Sequence, residues 1–169
     1  LLEENNITQI IHAAGLTPSQ SEEKSQPCRI MDINLMGTVR IVTAAIEHNI
    51  QRVIYVGSDG MYGPVSSVQE IVSEEHPAEL KNLYGIAKSG SEAFCRRMQN
   101  LTGIETCSGR VCAAYGPMER PTTSRAHMSA IHIMADAVLK GKILRVRGLE
   151  IGRNWTYIDD IACAFVALS

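Results

Sequence analysis

Short β-branched apolar runs alternate along the chain with longer stretches whose apolar residues recur every three or four positions. Residues 7–14 (ITQIIHAA) form a run of the first kind, closed by Gly15, and predict a buried strand. Loop signals fill 16–27. The period changes over 28–48, which predicts a long helix. VIYV at 53–56 predicts the next strand, and 63–81 is a long connection of prolines, serines and acids. A helical pattern over 83–100 stops near Gly103, and a third strand over 105–114 ends at Tyr115-Gly116-Pro117. A helix over 124–140 stops at Gly141, and 143–146 and 155–158 are short strands. Asp159 then caps a last helix running to Leu168. Alternation of this kind predicts an α/β fold with a largely parallel sheet.

The 28–48 helix is apolar on two sides. Ile30, Ile33, Gly37, Ile41 and Ala44 make one stripe, and Leu35, Val39, Val42 and Ile46 make another. A helix with two apolar faces is buried on both. One covers the sheet, and the other covers either a partner subunit or more of the same molecule.

Composition narrows the class. The chain has 169 residues, 45% hydrophobic and 20% charged, with a net charge of −2. That excludes a disordered chain and gives no basic footprint for nucleic acid or an anionic membrane. No apolar run approaches the ~20 residues of a membrane helix. The first residues, LLEENN, lack the charged-then-apolar order of a signal peptide, so a cytoplasmic protein is expected. Five cysteines (28, 95, 107, 112 and 163) form no C-x-x-C pair and read as reduced thiols; no metal site is expected. His127 and His132 are poorly spaced as ligands, and His12, His48 and His76 stand alone.

Gly57, Gly60 and Gly63 follow the VIYV strand with the spacing G-x-x-G-x-x-G. A phosphate loop must open a helix whose amides face the pyrophosphate. Pro64 and a Ser/Val/Gln stretch follow instead, so the glycines read as a sharply turning loop beside a site. The chemistry lies further on. Tyr84 and Lys88 stand at i and i+4 in LYGIAKSGSEAF, on one helical face. Bringing a phenol from a pKa of ~10 to about 7 takes ~4 kcal/mol. An ammonium ~5 Å away supplies ~3 kcal/mol of this at an effective dielectric near 20, and a second cation close by would supply the rest. The pair therefore reads as an acid/base working near neutrality. Y-x-x-x-K by itself is common on helix surfaces. Here Ser58 lies at the end of a buried strand, where open α/β sheets bind ligands.

With these in order stand H-A-A-G (12–15), N-x-x-G-T (34–38), S-x-x-x-Y-G (58–63), Y-x-x-x-K (84–88), R-x-x-x-x-Y-G-P (110–117) and R-x-W-x-Y-x-D-D (153–160). In this set the chain resembles the extended short-chain dehydrogenase/reductases, the NAD-dependent epimerase/dehydratase family, from about Ile7 to Leu168. The resemblance implies a Rossmann-like doubly wound parallel sheet. Residues 1–117 would be the C-terminal portion of the NAD(P)-binding domain, and 118–169 segments of a small substrate-binding lobe and the return from it. It implies an enzyme using NAD or NADP, with NAD favoured, on a sugar or nucleotide-sugar, and a homodimer formed through the 28–48 and Tyr84 helices. Tyr84 would be the acid/base and Lys88 would lower its pKa and hold the nicotinamide ribose. Ser58 would hydrogen-bond the reacting oxygen. Ala13, Ala14, Gly15, Asn34, Val111 and Cys112 would line the cofactor. Ser58, Asp59, Arg110 and Arg153 would meet the substrate, with a bracing ion pair as the alternative for each arginine.

The family's glycine-rich phosphate loop lies upstream of the H-A-A-G strand. About two βαβ units, roughly 60 residues, are therefore expected ahead of Leu1. The chain is expected to be part of a longer protein and to bind a dinucleotide poorly on its own. Family dehydratases carry glutamate two residues before the tyrosine of S-x-x-x-Y-G, and here that position is Gly60, with Asp59 expected to aim elsewhere. This favours epimerisation or plain oxidoreduction over dehydration. Ala113 and Asn154 stand where nucleotide-sugar epimerases often have asparagine and aspartate. A dehydrogenase or reductase of a non-nucleotide substrate and a non-catalytic dinucleotide-binding scaffold therefore stay open.

Overall fold

β2 (Arg52–Ser58) is the spine of the molecule because it is apolar on both faces. It pairs in parallel with β1 (Gln9–His12) on one side and β3 (Glu105–Val111) on the other. The computed structural model describes residues 2, 4–63, 71–123, 125, 128–146 and 153–169. Side chains alternate across the sheet. Val53 and Tyr55 join Val42, Ala45, Cys95 and Ile104 in one apolar cluster, which places α3 (Gly37–Glu47) and α4 (Leu83–Thr102) on a common face. Ile54 and Val56 face the other way. On that side Phe165 of α6 (Ile158–Ala167) fills the space left by Gly109, where a Cβ would stand 2.6 Å from the Phe165 ring.

The loop expected at 16–27 contains a helix, α1 (Gln20–Ser25). Ser19 and Glu22 form a capping box, with the Ser19 amide donating to the Glu22 carboxylate at 2.7 Å. S-x-x-E is a start signal legible in the sequence. The helix expected over 28–48 runs as α2 (Pro27–Met31), a π-helical turn (Asp32–Met36) and α3. Neither expected stripe is the buried row. That row is Ile30, Asn34, Thr38, Val42 and Ala45; it takes Ile30 from one stripe and Val42 from the other, and the remaining stripe residues are half-buried on its flanks. The π turn re-phases the helix and places two polar residues at the centre. π turns of this kind cluster at functional sites.

Four further expectations are corrected. The third strand breaks at Cys112: β3 stops at Val111, and β4 (Ala113–Tyr115) leaves to pair in parallel with β5 (Trp155–Tyr157). The 124–140 helix is α5 (Ala130–Leu139), shorter at its start, because Ser129 caps it and Glu119 accepts the Ser129 amide and hydroxyl at 2.6 and 2.7 Å. Residues 124, 126 and 127 lie outside the described residues, His127 among them. Residues 143–146 join no strand among the described residues, and Ile143 is 94% exposed; apolar character without a backbone partner does not make a strand. Asp159 does not cap α6, since Tyr157 is the cap residue and Asp159 sits inside the first turn, where its charge favours the helix dipole.

The segment after β2 makes a single 3-10 turn (Asp59–Tyr62) and continues through Gly63 at φ 69°. A Cβ on Gly63 would lie 2.5 Å from the Glu79 carboxylate, so only glycine fits there. No helix opens at these glycines up to Gly63; positions 64–70 lie outside the described residues.

Candidate active site

The end of β2 and the start of α4 meet above the sheet. Ser58 is extended at φ −153° and ψ 142°, and its hydroxyl accepts the Gly60 amide at 3.1 Å. α4 is started by Asn82, whose side chain accepts the Gly85 amide at 2.7 Å, and is tied to α1 by the Leu83 amide donating to Glu23. Tyr84 therefore lies in the first turn and Lys88 one turn on. The two groups close on one point: a Cβ on Gly60 would stand 3.3 Å from Ser58 Oγ and 4.0 Å from Tyr84 Cε1. The Ser58 hydroxyl lies near enough to the Tyr84 phenol to favour its phenolate form. Lys88 Nζ donates to the Val56 carbonyl at 2.7 Å and lies 5.7 Å from the Tyr84 ring centre. The structure thus brings Ser58, Tyr84 and Lys88 into one place.

Their electrostatics differ from the expected picture. Burial raises the Tyr84 phenol above the ordinary tyrosine value, against the Ser58 hydroxyl, which favours the phenolate. Burial also brings the Lys88 ammonium down to about 8. The phenol is therefore not held near neutrality by the lysine. Desolvation penalises both charged forms and outweighs a cation standing off the ring. In the chain as it stands, the amine is the first of the two to release a proton.

A buried polar floor lies beneath the pair. His12 Nε2 is 3.2 Å from Thr38 Oγ1, and the Thr38 and Ser91 hydroxyls both donate to the Asn34 carbonyl, at 3.2 and 3.0 Å. The Asn34 amide side chain clamps Leu16, accepting its N–H at 2.7 Å and donating to its C=O at 2.8 Å. This fixes the turn that leaves β1. Ala13, Ala14 and Gly15 lie exposed along that turn, and a Cβ on Gly15 would stand 3.4 Å from Asn34 Oδ1 and 3.7 Å from Lys88 Nζ. Small residues, a bare backbone and an ammonium thus line this turn. Sequence reasoning set His12 aside as an isolated histidine. It is 6% exposed, and burial followed by the Lys88 charge lowers its pKa. Its place at the end of a buried strand, directly before small residues, was the available signal.

The opposite wall comes from the β3–β4 break. Val111 pairs with Ser58 across the sheet, and Cys112 follows. Asp59, expected to aim away, turns towards Cys112 and Arg153; burial raises its carboxyl, and the Cys112 hydrogen bond and the Arg153 charge oppose the rise. Cys112 Sγ also takes the Asn154 amide at 3.4 Å. Arg110 is a brace: its guanidinium holds Glu92 of α4 through two hydrogen bonds, the Tyr62 hydroxyl and the Glu74 carbonyl. The alternative of a bracing ion pair is the one its geometry matches. Arg125 and Thr17, unnoticed in the sequence, both act on Tyr84, Arg125 through its charge and Thr17 through its hydroxyl. Among the described residues no cluster of His, Cys, Asp or Glu is placed to hold a metal ion. No described helix is long and apolar enough to cross a membrane.

The chain is 30% identical over 148 residues to an uncharacterized 37.6 kDa protein of Escherichia coli O111:H-, covering 84% of this chain and 41% of that one. It is 29% identical over 159 residues to a putative UDP-glucose 4-epimerase of Methanocaldococcus jannaschii, covering 92% of this chain and 50% of the other. In fold it is similar to the crystal structure of Thermotoga maritima UDP-glucose 4-epimerase with UDP-glucose, at a TM-score of 0.86 and 21% identity, over 99% of this chain and 53% of that one. The chain thus spans about half the length of the proteins it matches. The profile of the NAD dependent epimerase/dehydratase family matches residues 1–169, and the chain belongs to that family.

Proposed function

We propose that the chain carries the proton-transfer half of an NAD(P)-dependent enzyme acting on a hydroxyl of a sugar or nucleotide-sugar, with NAD as the favoured cofactor and epimerisation as the favoured outcome. The observation that carries this reading is the convergence of Ser58, Tyr84 and Lys88 beside the exposed Gly15 turn. Ala13, Ala14, Gly15, Asn34 and Lys88 would hold the ribose and nicotinamide end, with Val111 and Cys112 behind it. A bound nicotinamide supplies the acceptor and donor of hydride. Ser58 orients the substrate oxygen. As the substrate C–O bond becomes a carbonyl, the Tyr84 oxygen would take the O–H proton while the phenol's own proton passes on to the neutral Lys88 amine. In the reverse sense Tyr84 would return a proton to that oxygen and regain its own from the Lys88 ammonium, and reduction from the other face of the carbon would invert the configuration. Lys88 makes the pair's first proton releasable at mild pH, since burial sets it near 8.

Gly60 favours this over dehydration. A side chain there would meet both Ser58 Oγ and the Tyr84 ring, and glycine leaves that space without a second base. The names carried by the relatives, UDP-glucose 4-epimerases among them, support a nucleotide-sugar. Exposed apolar residues on the 28–48 helical run and on α4, Met36 of the π turn and Ile86, support the further proposal that two copies associate through these helices.

The test uses the full-length protein with NAD and a panel of UDP- and dTDP-sugars and free sugars, products being read by proton NMR. Conversion to the epimer without net NADH is the expected result. Net NADH would mark a dehydrogenase, and release of water from the sugar a dehydratase. No conversion of any hydroxyl substrate, with cofactor shown to be bound, would overturn the reading.

A further inference from the structure

The proposed proton transfer gives Lys88 a task but does not say what keeps a buried ammonium in place. Lys88 is 5% exposed, and its hydrogen bond among the described residues is to the Val56 carbonyl. Beneath it lies Tyr55 of β2, itself 1% exposed, with its ring centre 4.9 Å from Lys88 Nζ, closer than the ring of Tyr84. That is within the reach of a cation–π contact, ~6 Å, and a desolvated contact is the strong kind. The Tyr55 hydroxyl is buried and has no hydrogen-bond partner among the described residues. The Thr38 and Ser91 hydroxyls that neighbour it give their own protons to the Asn34 carbonyl. Buried tyrosines usually find a partner for the hydroxyl. This one is held by its ring, packed with Val42, Ala45 and Cys95 and tilted at 38° against His12 with centres 5.9 Å apart.

We propose that Tyr55 is a positioning residue: its ring face seats the Lys88 ammonium under Tyr84, and its hydroxyl takes no part. The inference rests on the reading of Tyr84 and Lys88 as the proton-transfer pair. The titratable groups around the ammonium are His12 from β1, Tyr55 from β2 and Tyr84 on its own helix. His12 is lowered by burial and by Lys88, so it adds no second charge near neutrality. The ring face is therefore the electrostatic support that offsets desolvation from below.

Ring and hydroxyl are separable. In full-length protein carrying isotope-labelled lysine, the Lys88 amine is titrated by nitrogen-detected NMR, its signal identified by loss in Lys88→Met. Tyr55→Phe is expected to leave the Lys88 titration and the pH–rate profile unchanged. Tyr55→Leu is expected to lower the basicity of Lys88 about tenfold, as loss of a desolvated cation–π contact requires. If the leucine variant does not fold, phenylalanines of increasing fluorination at position 55 keep the shape and drain the ring face, and Lys88 basicity should fall stepwise along that series. Equal titrations in the wild type and the most fluorinated variant would overturn the proposal, as would a large shift in Tyr55→Phe. The NMR titration needs no turnover, so absence of epimerase or dehydrogenase activity would defeat the previous section's reading while this result still decides the role of Tyr55.

Discussion

Replacing Lys88 with methionine should make the fold more stable while disabling the site. The side chain is buried and carries a charge there against desolvation. Its fall from 10.5 to about 8 is worth about 3 kcal/mol against the native state whenever the amine is protonated. Methionine keeps the length and apolar volume and removes the charge. It also removes the bond to the Val56 carbonyl, which returns about 1 kcal/mol. The net gain at neutral pH is therefore about 2 kcal/mol. The sign of the pH dependence follows from proton binding. Between about 8 and 10.5 the unfolded lysine holds its proton and the folded one does not. Wild-type stability consequently rises through that window, and the penalty is complete below it. Urea unfolding of both proteins from about pH 6 to about pH 10 should show the difference shrinking as pH rises. Tyr84, held up by burial, lowers stability above its unfolded value in both proteins, so the comparison removes most of that effect. A methionine variant that is less stable than wild type at neutral pH, or a difference flat across the range, would refute the desolvation argument.

Two other outcomes follow from the same geometry. Because burial leaves Lys88 near 8 and holds Tyr84 protonated, substrate oxidation by the full-length enzyme should rise with pH through about 8, where the pair gives up its first proton. Carbonyl reduction should fall through the same region, and initial rates in both directions against pH check this. Asn34→Ala leaves both backbone groups of the buried Leu16 without partners. This should cost about 2–4 kcal/mol in urea unfolding and weaken dinucleotide binding by calorimetry. A loss under about 1 kcal/mol would mean that the clamp is replaced by other contacts.

What could be read from the chain was whatever rests on local period and punctuation. The 83–100 helix appears as Leu83–Thr102, with Gly103 at φ 83° after it, and the parallel strand order follows the apolar runs. What failed depended on partners far away in sequence. Apolar residues 143–146 form no strand, since pattern does not supply a neighbour. The third strand divides because Ala113–Tyr115 finds Trp155–Tyr157, a pairing that no window around Cys112 contains. Polar Asn34 and Thr38 on the buried row broke the apolar periodicity that would have placed the buried face of the 28–48 helix. They are buried because the Leu16 backbone and His12 meet them there. In the site, the order of motifs located Ser58, Tyr84 and Lys88. Their protonation did not follow from spacing alone, because desolvation is a property of everything packed around them. His12 and Tyr55 carried no motif, and only the sheet places them under the ammonium.

Tyr84→Phe in the full-length protein tests the central claim most directly. The variant removes one oxygen and keeps the ring that packs at the start of α4. With substrate and cofactor saturating, the single-turnover rate of hydride transfer should fall at least ~100-fold, as loss of general acid–base catalysis requires. Cofactor affinity and unfolding midpoint should stay near those of the wild type. An undiminished single-turnover rate would contradict the assignment of the proton to Tyr84.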